Sequence, residues 1–156
     1  MLTRHRKSVC LSLISTDLPV WSVVDTAATL YQKDLERFHL LLTEPPLQDK
    51  KNTQIPAVAS PRLLWLEISP YRVTMIVQGN AQVSYRHFWE QGIYGPSLYW
   101  LQGDLSQGSE QMRLRNFTRR LTLVGRTLPQ YLRVEYELWS EKVQLGRYIL
   151  NLEIHH

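Results

Sequence analysis

The stretch 131–154 alternates apolar and polar residues more regularly than the rest of the chain. Leu132, Val134, Tyr136 and Leu138 share one parity, and charged residues occupy much of the other. A period of two is typical of a strand with one buried face and one solvated face. The polar triplet at 140–142 interrupts the alternation, so the pattern predicts an antiparallel hairpin with its turn at that point.

The second arm of this hairpin contains a change of parity. Val143 and Leu145 are odd-numbered, whereas the apolar positions from Tyr148 onward are even. A strand changes parity only by inserting a residue, and glycine tolerates the conformation that such an insertion requires. The pattern therefore predicts a β-bulge at Gly146-Arg147, which would redirect the Arg147 side chain.

Near the start of the chain the apolar spacing is longer. The positions that recur every three or four residues are Val24, Ala28, Tyr31, Leu35, Phe38 and Leu42. Ser22 with Asp25 resembles a capping box, and Pro45-Pro46 would stop a helix. These features predict one long helix that lies against a sheet.

The remaining apolar runs predict strands. They are the first strand around Val9, Leu11 and Leu13, and the stretches 61–68, 72–78, 81–85, 97–101 and 111–124, with a two-residue turn at Gly79-Asn80. Residues 47–60 form a predicted surface connection, 86–95 a turn or short helical piece, and 103–110 a mobile loop. The sum is an α+β fold: one domain, 1–156, in which the helix packs on a curved antiparallel meander of about seven strands.

Composition places the chain among soluble globular proteins, with 44% hydrophobic and 21% charged residues. No run approaches the roughly 18 apolar residues of a membrane helix. The short apolar run after Arg4, Arg6 and Lys7 is interrupted by serine and lacks a typical cleavage site, which favours a strand over a signal peptide. A single cysteine, Cys10, excludes an internal disulfide and favours a cytoplasmic location.

Sequence motifs for common chemistry are missing. The five histidines and Cys10 have no metal-ligand spacing, and no glycine-rich nucleotide loop occurs, so we expect neither metal nor cofactor. There is no G-x-S-x-G motif, although serine, histidine and aspartate are all present, and spacing alone cannot assemble them into a triad.

Arginine supplies thirteen of the eighteen basic residues, and six of them lie in 112–133, where there is no acidic residue. The candidate ligand-binding residues are Arg113, Arg115, Arg119, Arg133 and Arg147. Two interpretations compete. The commoner one pairs arginines with glutamates across exposed strands. In the other, several guanidinium groups converge on a carboxylate or phosphate, and Glu135 or Glu137 serves as a catalytic acid or base.

Aromatic residues crowd the middle of the chain, where the strand pattern fails. The candidate interface residues are Trp89, Tyr94, Tyr99 and Trp100. Exposed tryptophan, tyrosine and arginine dominate protein-binding sites, whereas buried aromatic residues would simply be core. Nucleic acid is a disfavoured partner, because acidic residues such as Glu90 and Asp104 weaken the positive field that it requires.

Two functions remain open. The first is a non-catalytic cytoplasmic binding or assembly protein that docks a protein partner through an aromatic and arginine-rich face. The alternative is a small enzyme or carrier whose concave pocket binds a carboxylated or phosphorylated small molecule through its arginines. The six residues 116–121 resemble a short segment of chorismate–pyruvate lyases, and this resemblance keeps a carboxylate-handling enzyme among the alternatives. The oligomeric state is left open.

Overall fold

The computed structural model describes residues 3–19, 21–44, 62–78, 83–102 and 109–156. They form ten antiparallel strands: β1 Thr3–Ser15, β2 Trp21–Gln32, β3 Phe38–Glu44, β4 Arg62–Ile68, β5 Arg72–Gln78, β6 Val83–Glu90, β7 Tyr94–Gln102, β8 Ser109–Val124, β9 Tyr131–Ser140 and β10 Val143–His155. Within the described residues there is no helix, and so none that is long and apolar enough to span a membrane.

The ten strands close into a barrel in which each strand pairs with its sequence neighbours. The closing contact is between β1 and β10, where Val9 is opposite Ile154 and Leu13 is opposite Leu150. The predicted α+β fold, with about seven strands and a long helix, is therefore wrong, and the chain is an all-β barrel. Closure leaves no unpaired sheet edge.

The predicted helix is in fact the β2–β3 hairpin. Four of its six apolar positions are even-numbered, and they form pairs that are four residues apart. Residues four apart share a face both in a strand, which has a period of two, and in a helix, which has a period of 3.6. Ala28 and Leu30 are buried on β2, while Leu35, which a helix would have buried, is 90% exposed at the turn. The Asp34 carboxylate accepts backbone N–H bonds from Glu36 and Arg37, which fixes this turn.

The stretch 86–95 was expected to be a turn or a short helical piece, and this was also wrong. β6 continues to Glu90, and a short turn over 91–93 leads directly into β7. The turn is held by the Gly92 N–H, which donates to the Thr118 carbonyl. Gly92 has a φ of 80°, which suits glycine. The predicted connection at 47–60, the Gly79-Asn80 turn and residues 103–108 of the predicted loop lie outside the described residues.

The predicted final hairpin is confirmed. β9 ends at Ser140 and β10 begins at Val143, with Glu141 at a φ of 54° in the turn. The predicted bulge is also present, although its register shift lies between Gln144 and Gly146, so that Leu145 is the inserted residue. The shift turns Tyr148 and Leu150 into the barrel and leaves Arg147 outside.

The hydrophobic core lies in the barrel interior. The buried inward residues of β2–β5, which we call the apolar wall, are Ala28, Leu30, Phe38, Leu40, Leu42, Leu64, Leu66, Ile68, Val73, Met75 and Val77. The opposite side of the interior, formed by β6–β8, also carries buried polar residues, and it contains the candidate site.

Candidate functional site

The inward faces of β6, β7 and β8 carry buried polar residues, and we call this surface the polar wall. Its members are His87 on β6, Ser97 on β7, and Asn116 and Thr118 on β8. Strand register brings them together, because His87 is opposite Ser97 across β6 and β7. A core normally excludes such groups unless they are hydrogen-bonded.

Three polar-wall residues form a hydrogen-bonded chain that ends on Tyr99. The Asn116 Nδ2 group donates to the Pro96 carbonyl at 3.3 Å and to Ser97 Oγ at 2.8 Å. A carbonyl only accepts, so this contact fixes the orientation of the amide. The Ser97 hydroxyl is hydrogen-bonded to His87 Nδ1 at 2.7 Å, and His87 Nε2 is hydrogen-bonded to the Tyr99 hydroxyl at 3.3 Å. A neutral imidazole donates from one ring nitrogen and accepts at the other, so the two contacts run in the same sense along the chain.

His87 is held as a neutral imidazole. Burial lowers the pKa of His87 to about 3, because no negative charge compensates for the loss of hydration. Its ring stacks on Trp89, with ring centroids 5.0 Å apart and planes 7° from parallel. The hydrogen-bonded chain is therefore uncharged at neutral pH.

Four tyrosines lie close together next to these hydrogen-bonded residues, and Tyr99, on which the hydrogen bonds end, is one of them. We call them the tyrosine cluster: Tyr85, Tyr99, Tyr136 and Tyr148. The rings of Tyr85 and Tyr99 are 5.6 Å apart, and those of Tyr136 and Tyr148 are 5.4 Å apart. Burial, followed by the other phenol groups of the cluster, raises the pKa of both Tyr99 and Tyr136 well above the usual range. Tyr99 and Tyr136 therefore contribute uncharged hydroxyls to the cluster.

Part of the tyrosine cluster is open to solvent. Tyr136 is buried, whereas Tyr85, Tyr99 and Tyr148 are partly exposed. These three lie toward the barrel end that carries the β1–β2 and β9–β10 turns, since Tyr148 is opposite Ser15 at the end of β1.

Three buried polar atoms of the interior have no hydrogen-bond partner among the described residues. They are Trp89 Nε1, Asn116 Oδ1 and Thr118 Oγ1. Gly95 lies between β6 and β8, and a Cβ there would be 2.3 Å from the Phe88 carbonyl oxygen and 3.4 Å from Asn116 Oδ1. A larger residue at 95 would separate the strands, so glycine is required for the close packing of the polar wall.

The predicted ligand-binding arginines lie outside the barrel. Arg113, Arg115, Arg119 and Arg147 are exposed, and Arg133 is half-buried between the inward-facing Leu132 and Val134. Arg115 donates to the Glu141 carbonyl at 2.6 Å and lies over the Tyr94 ring. The concave surface of this fold is the barrel interior, which these side chains do not enter. Their assignment as ligand-binding residues stays a prediction.

Glu135 and Glu137, the predicted acid or base, are on the outer face of β9. Glu135 accepts from Arg133 at 2.9 Å, and Glu137 accepts from Arg119 at 2.9 Å. Trp139 Nε1 also donates to Glu137, at 3.3 Å. The Arg119–Glu137 contact joins β8 to β9, as the commoner interpretation of the arginine pattern expects, whereas Arg133 and Glu135 pair within β9.

The four aromatic residues of the predicted interface do not share a surface. Trp89 is 1% exposed in the core, and Tyr99 belongs to the tyrosine cluster. Tyr94 is 54% exposed on the outside, and Trp100 contacts the Arg86 guanidinium on the outer face. Sequence reasoning grouped them by proximity along the chain, whereas strand alternation separates them into inner and outer pairs.

Sequence reasoning missed His87, Ser97, Asn116 and Tyr136 as site residues. One signal was available: Tyr85, His87 and Trp89 have the same parity and therefore share a face of β6. The pairing of His87 with Ser97 depends on strand register and had no sequence signal. Within the described part of the chain, no group of histidine, cysteine, aspartate or glutamate is arranged to hold a metal ion.

Comparisons with known proteins show the fold and no more. No known family model matches the chain, and no curated protein matches it, so the six-residue resemblance to chorismate–pyruvate lyases gains no support. Among solved structures, it is similar to the crystal structure of the ywiB protein from Bacillus subtilis, with a TM-score of 0.58 and 14% sequence identity. The match covers 99% of this chain and 94% of that chain.

Proposed function

We propose that this chain is a non-catalytic binding protein that holds a small, uncharged molecule against the tyrosine cluster, at the barrel end that carries the β1–β2 and β9–β10 turns. The ligand accepts hydrogen bonds from the tyrosine cluster and packs against its rings. The observation that carries the proposal is the convergence of four tyrosines in the interior of a barrel, three of them partly exposed and two of them, Tyr99 and Tyr136, with pKa values raised by burial. Cavities with apolar walls and a few convergent polar groups are typical of small-molecule sites.

Charge distribution supports an uncharged ligand. The paired arginines and glutamates of β8 and β9 are on the outer face, and the polar wall carries no charge at neutral pH, because His87 has a pKa of about 3. A charged ligand that entered this interior would lose its hydration without gaining an opposite charge. A carbonyl, amide or hydroxyl group would instead find several O–H donors.

The Ser97–His87 contact resembles a nucleophile and its base, but its environment opposes that role. A general base works best with a pKa near the working pH, whereas burial lowers the pKa of His87 to about 3. Ser97 is fully buried, and the other His87 nitrogen faces the Tyr99 hydroxyl instead of a carboxylate. Binding therefore suits these residues better than acyl transfer.

A pair of isosteric probes tests the proposal. Benzamide combines an aromatic ring with a neutral carbonyl, and benzoate has the same shape with a negative charge. We expect benzamide at ten times its Kd to stabilise the protein by about 1.4 kcal/mol, which raises Tm by roughly 3–5 °C. Benzoate at the same concentration should leave Tm unchanged at pH 7.

Tyrosine variants locate the effect. Tyr99→Phe and Tyr148→Phe each remove one inward hydroxyl and should weaken benzamide binding roughly threefold to tenfold. Tyr94→Phe is the matched control, because Tyr94 is 54% exposed on the outer face. Equal stabilisation by benzoate, or a benzamide effect that survives both inward substitutions, would refute the interior site.

A further inference from the structure

A groove on the outer face of the barrel is separate from the interior site. It has a volume of about 320 Å³ and is lined by Tyr31, His39, Leu41, Leu63, Trp65, Ile76, Gln78 and Arg86. Strand register explains its floor, because Leu41 is opposite Trp65 and Ile76 is opposite Arg86. The floor is thus a continuous row of apolar side chains, and the Arg86 guanidinium lies at one end of it.

Arg86 is the charged group of this groove. Desolvation lowers the pKa of His39, the other titratable base in the lining, and favours its neutral form. No carboxylate of the described residues is within ion-pairing distance of Arg86, and its buried Nε has no acceptor. The guanidinium is 5.6 Å from the centroid of the Trp100 ring, a cation–π contact that holds its position without neutralising it.

The groove is open rather than enclosed. Leu63 and Trp65 are 41% and 36% exposed, although both are large and apolar. Small-molecule pockets bury most of their ligand's surface, whereas tryptophan, tyrosine and arginine around a shallow apolar surface are typical of protein-binding hot spots. The closed barrel offers no edge for strand addition, so a partner protein must bind through side chains.

We propose that this outer groove docks a segment of a partner protein in which a carboxylate is flanked by aliphatic side chains. The aliphatic groups cover Trp65 and Leu63, and the carboxylate accepts hydrogen bonds from the Arg86 guanidinium. Charge complementarity selects this occupant, since Arg86 has no carboxylate partner among the described residues, and the carboxylate beside the lining, Glu67, lies next to His39 at 3.9 Å from its Nε2. The proposal is independent of the interior site, which favours uncharged molecules.

NMR titration with a defined peptide tests this surface. The probe is the acetylated and amidated peptide Ala-Leu-Glu-Leu-Ala, and its control carries glutamine in place of glutamate. We expect the acidic peptide to shift the Trp65 indole N–H and Arg86 Nε–H signals in a saturable manner. The glutamine peptide should bind about tenfold more weakly, because it loses a charge-assisted hydrogen bond.

Three variants assign the charge preference. Arg86→Gln should make the two peptides bind equally, whereas Arg113→Gln, on the exposed outer face of β8, should preserve the tenfold difference. Leu63→Glu places a carboxylate within the groove at a 41% exposed position and should abolish binding of the acidic peptide. This third variant keeps the test decisive if Arg86→Gln fails to fold.

Four results would overturn the proposal. The acidic and glutamine peptides bind the unsubstituted protein equally, or the shifted signals lie elsewhere on the barrel. The Trp65 signal moves with protein concentration alone, which would make a second copy of this chain the occupant. Free 4-methylpentanoate matches the acidic peptide in affinity, which would make the groove a site for small carboxylates.

Discussion

Among the described side chains, the buried inward positions of β2–β5 are all apolar, whereas those of β6–β8 include a histidine, a serine, an asparagine and a threonine. The apolar wall is stabilised by burial and close packing, which are indifferent to pH. The polar wall depends on hydrogen bonds between particular partners and on the neutral form of His87. Both walls line the interior of the same barrel, so the effects of substitutions on the two walls can be compared in one protein.

This contrast identifies the part of the barrel interior whose residues are not explained by stability alone. An entirely apolar interior would fold without the cost of burying His87 or the unpartnered Thr118 hydroxyl. Stability alone does not explain why these polar groups lie beside the tyrosine cluster. We infer that the apolar wall holds the barrel together and that the polar wall positions the hydroxyls for binding.

The largest expected effect is on the apolar wall. Leu66 is fully buried on β4, and Leu66→Ala should lower the free energy of unfolding by about 2–5 kcal/mol, through lost burial and the cavity left behind. Urea denaturation measures this change. Leu63→Ala on the same strand is the control, because Leu63 is 41% exposed and should cost less than about 0.5 kcal/mol. Equal costs would contradict the assignment of Leu66 to the core.

A pH dependence should distinguish the polar wall. The pKa of His87 is lowered from 6.5 to about 3 in the folded protein, so between these values the unfolded chain binds a proton that the folded chain does not. Stability is therefore full above pH 6.5 and falls as pH falls, by about 3 kcal/mol between pH 6.5 and pH 4.

Urea denaturation at several pH values measures this loss. A His87→Gln variant should be less stable at pH 7, but its stability should vary much less between pH 6.5 and pH 4. A His155→Asn variant, changed at an exposed position on β10, should keep the full dependence. A profile that stays equally steep without His87 would show that other groups cause it.

The smallest expected effect concerns Thr118, whose buried Oγ1 has no partner among the described residues. Thr118→Val removes the hydroxyl and keeps the shape, so it should be neutral or stabilising by up to about 1 kcal/mol. Thr29→Val is the matched control: Thr29 Oγ1 accepts from Arg6 at 2.9 Å, so its loss should cost about 1 kcal/mol. A destabilised Thr118→Val protein would reveal a partner for that hydroxyl.

Much of the β-structure was predictable from local pattern. Strict alternation in β9 and β10 identified the final hairpin, and the parity change near Gly146 identified the bulge to within one residue. Both features depend only on neighbouring residues along the chain. The β2–β3 hairpin was misassigned because Val24, Ala28, Phe38 and Leu42 satisfy a helical and a strand period together.

Barrel closure and the polar wall were not predictable in this way. The pairing of β1 with β10 joins opposite ends of the described chain, and no local pattern specifies it. On β6–β8 the inward positions include His87, Ser97 and Asn116, so the apolar alternation that marks a strand is lost where the candidate site lies. Local rules are expected to fail at functional sites, and their failure here is consistent with the proposed site.

The β1–β10 pairing also constrains the order of events during synthesis. Val9 and Ile154 must meet, and bringing such distant residues together costs entropy before any contact compensates for it. Until β10 has left the ribosome, β1 lacks one of its two neighbours, and the nascent sheet presents unpaired backbone groups to other chains. Release of β10 from the ribosome is therefore the step that allows the barrel to close and pairs the remaining edges of β1 and β9.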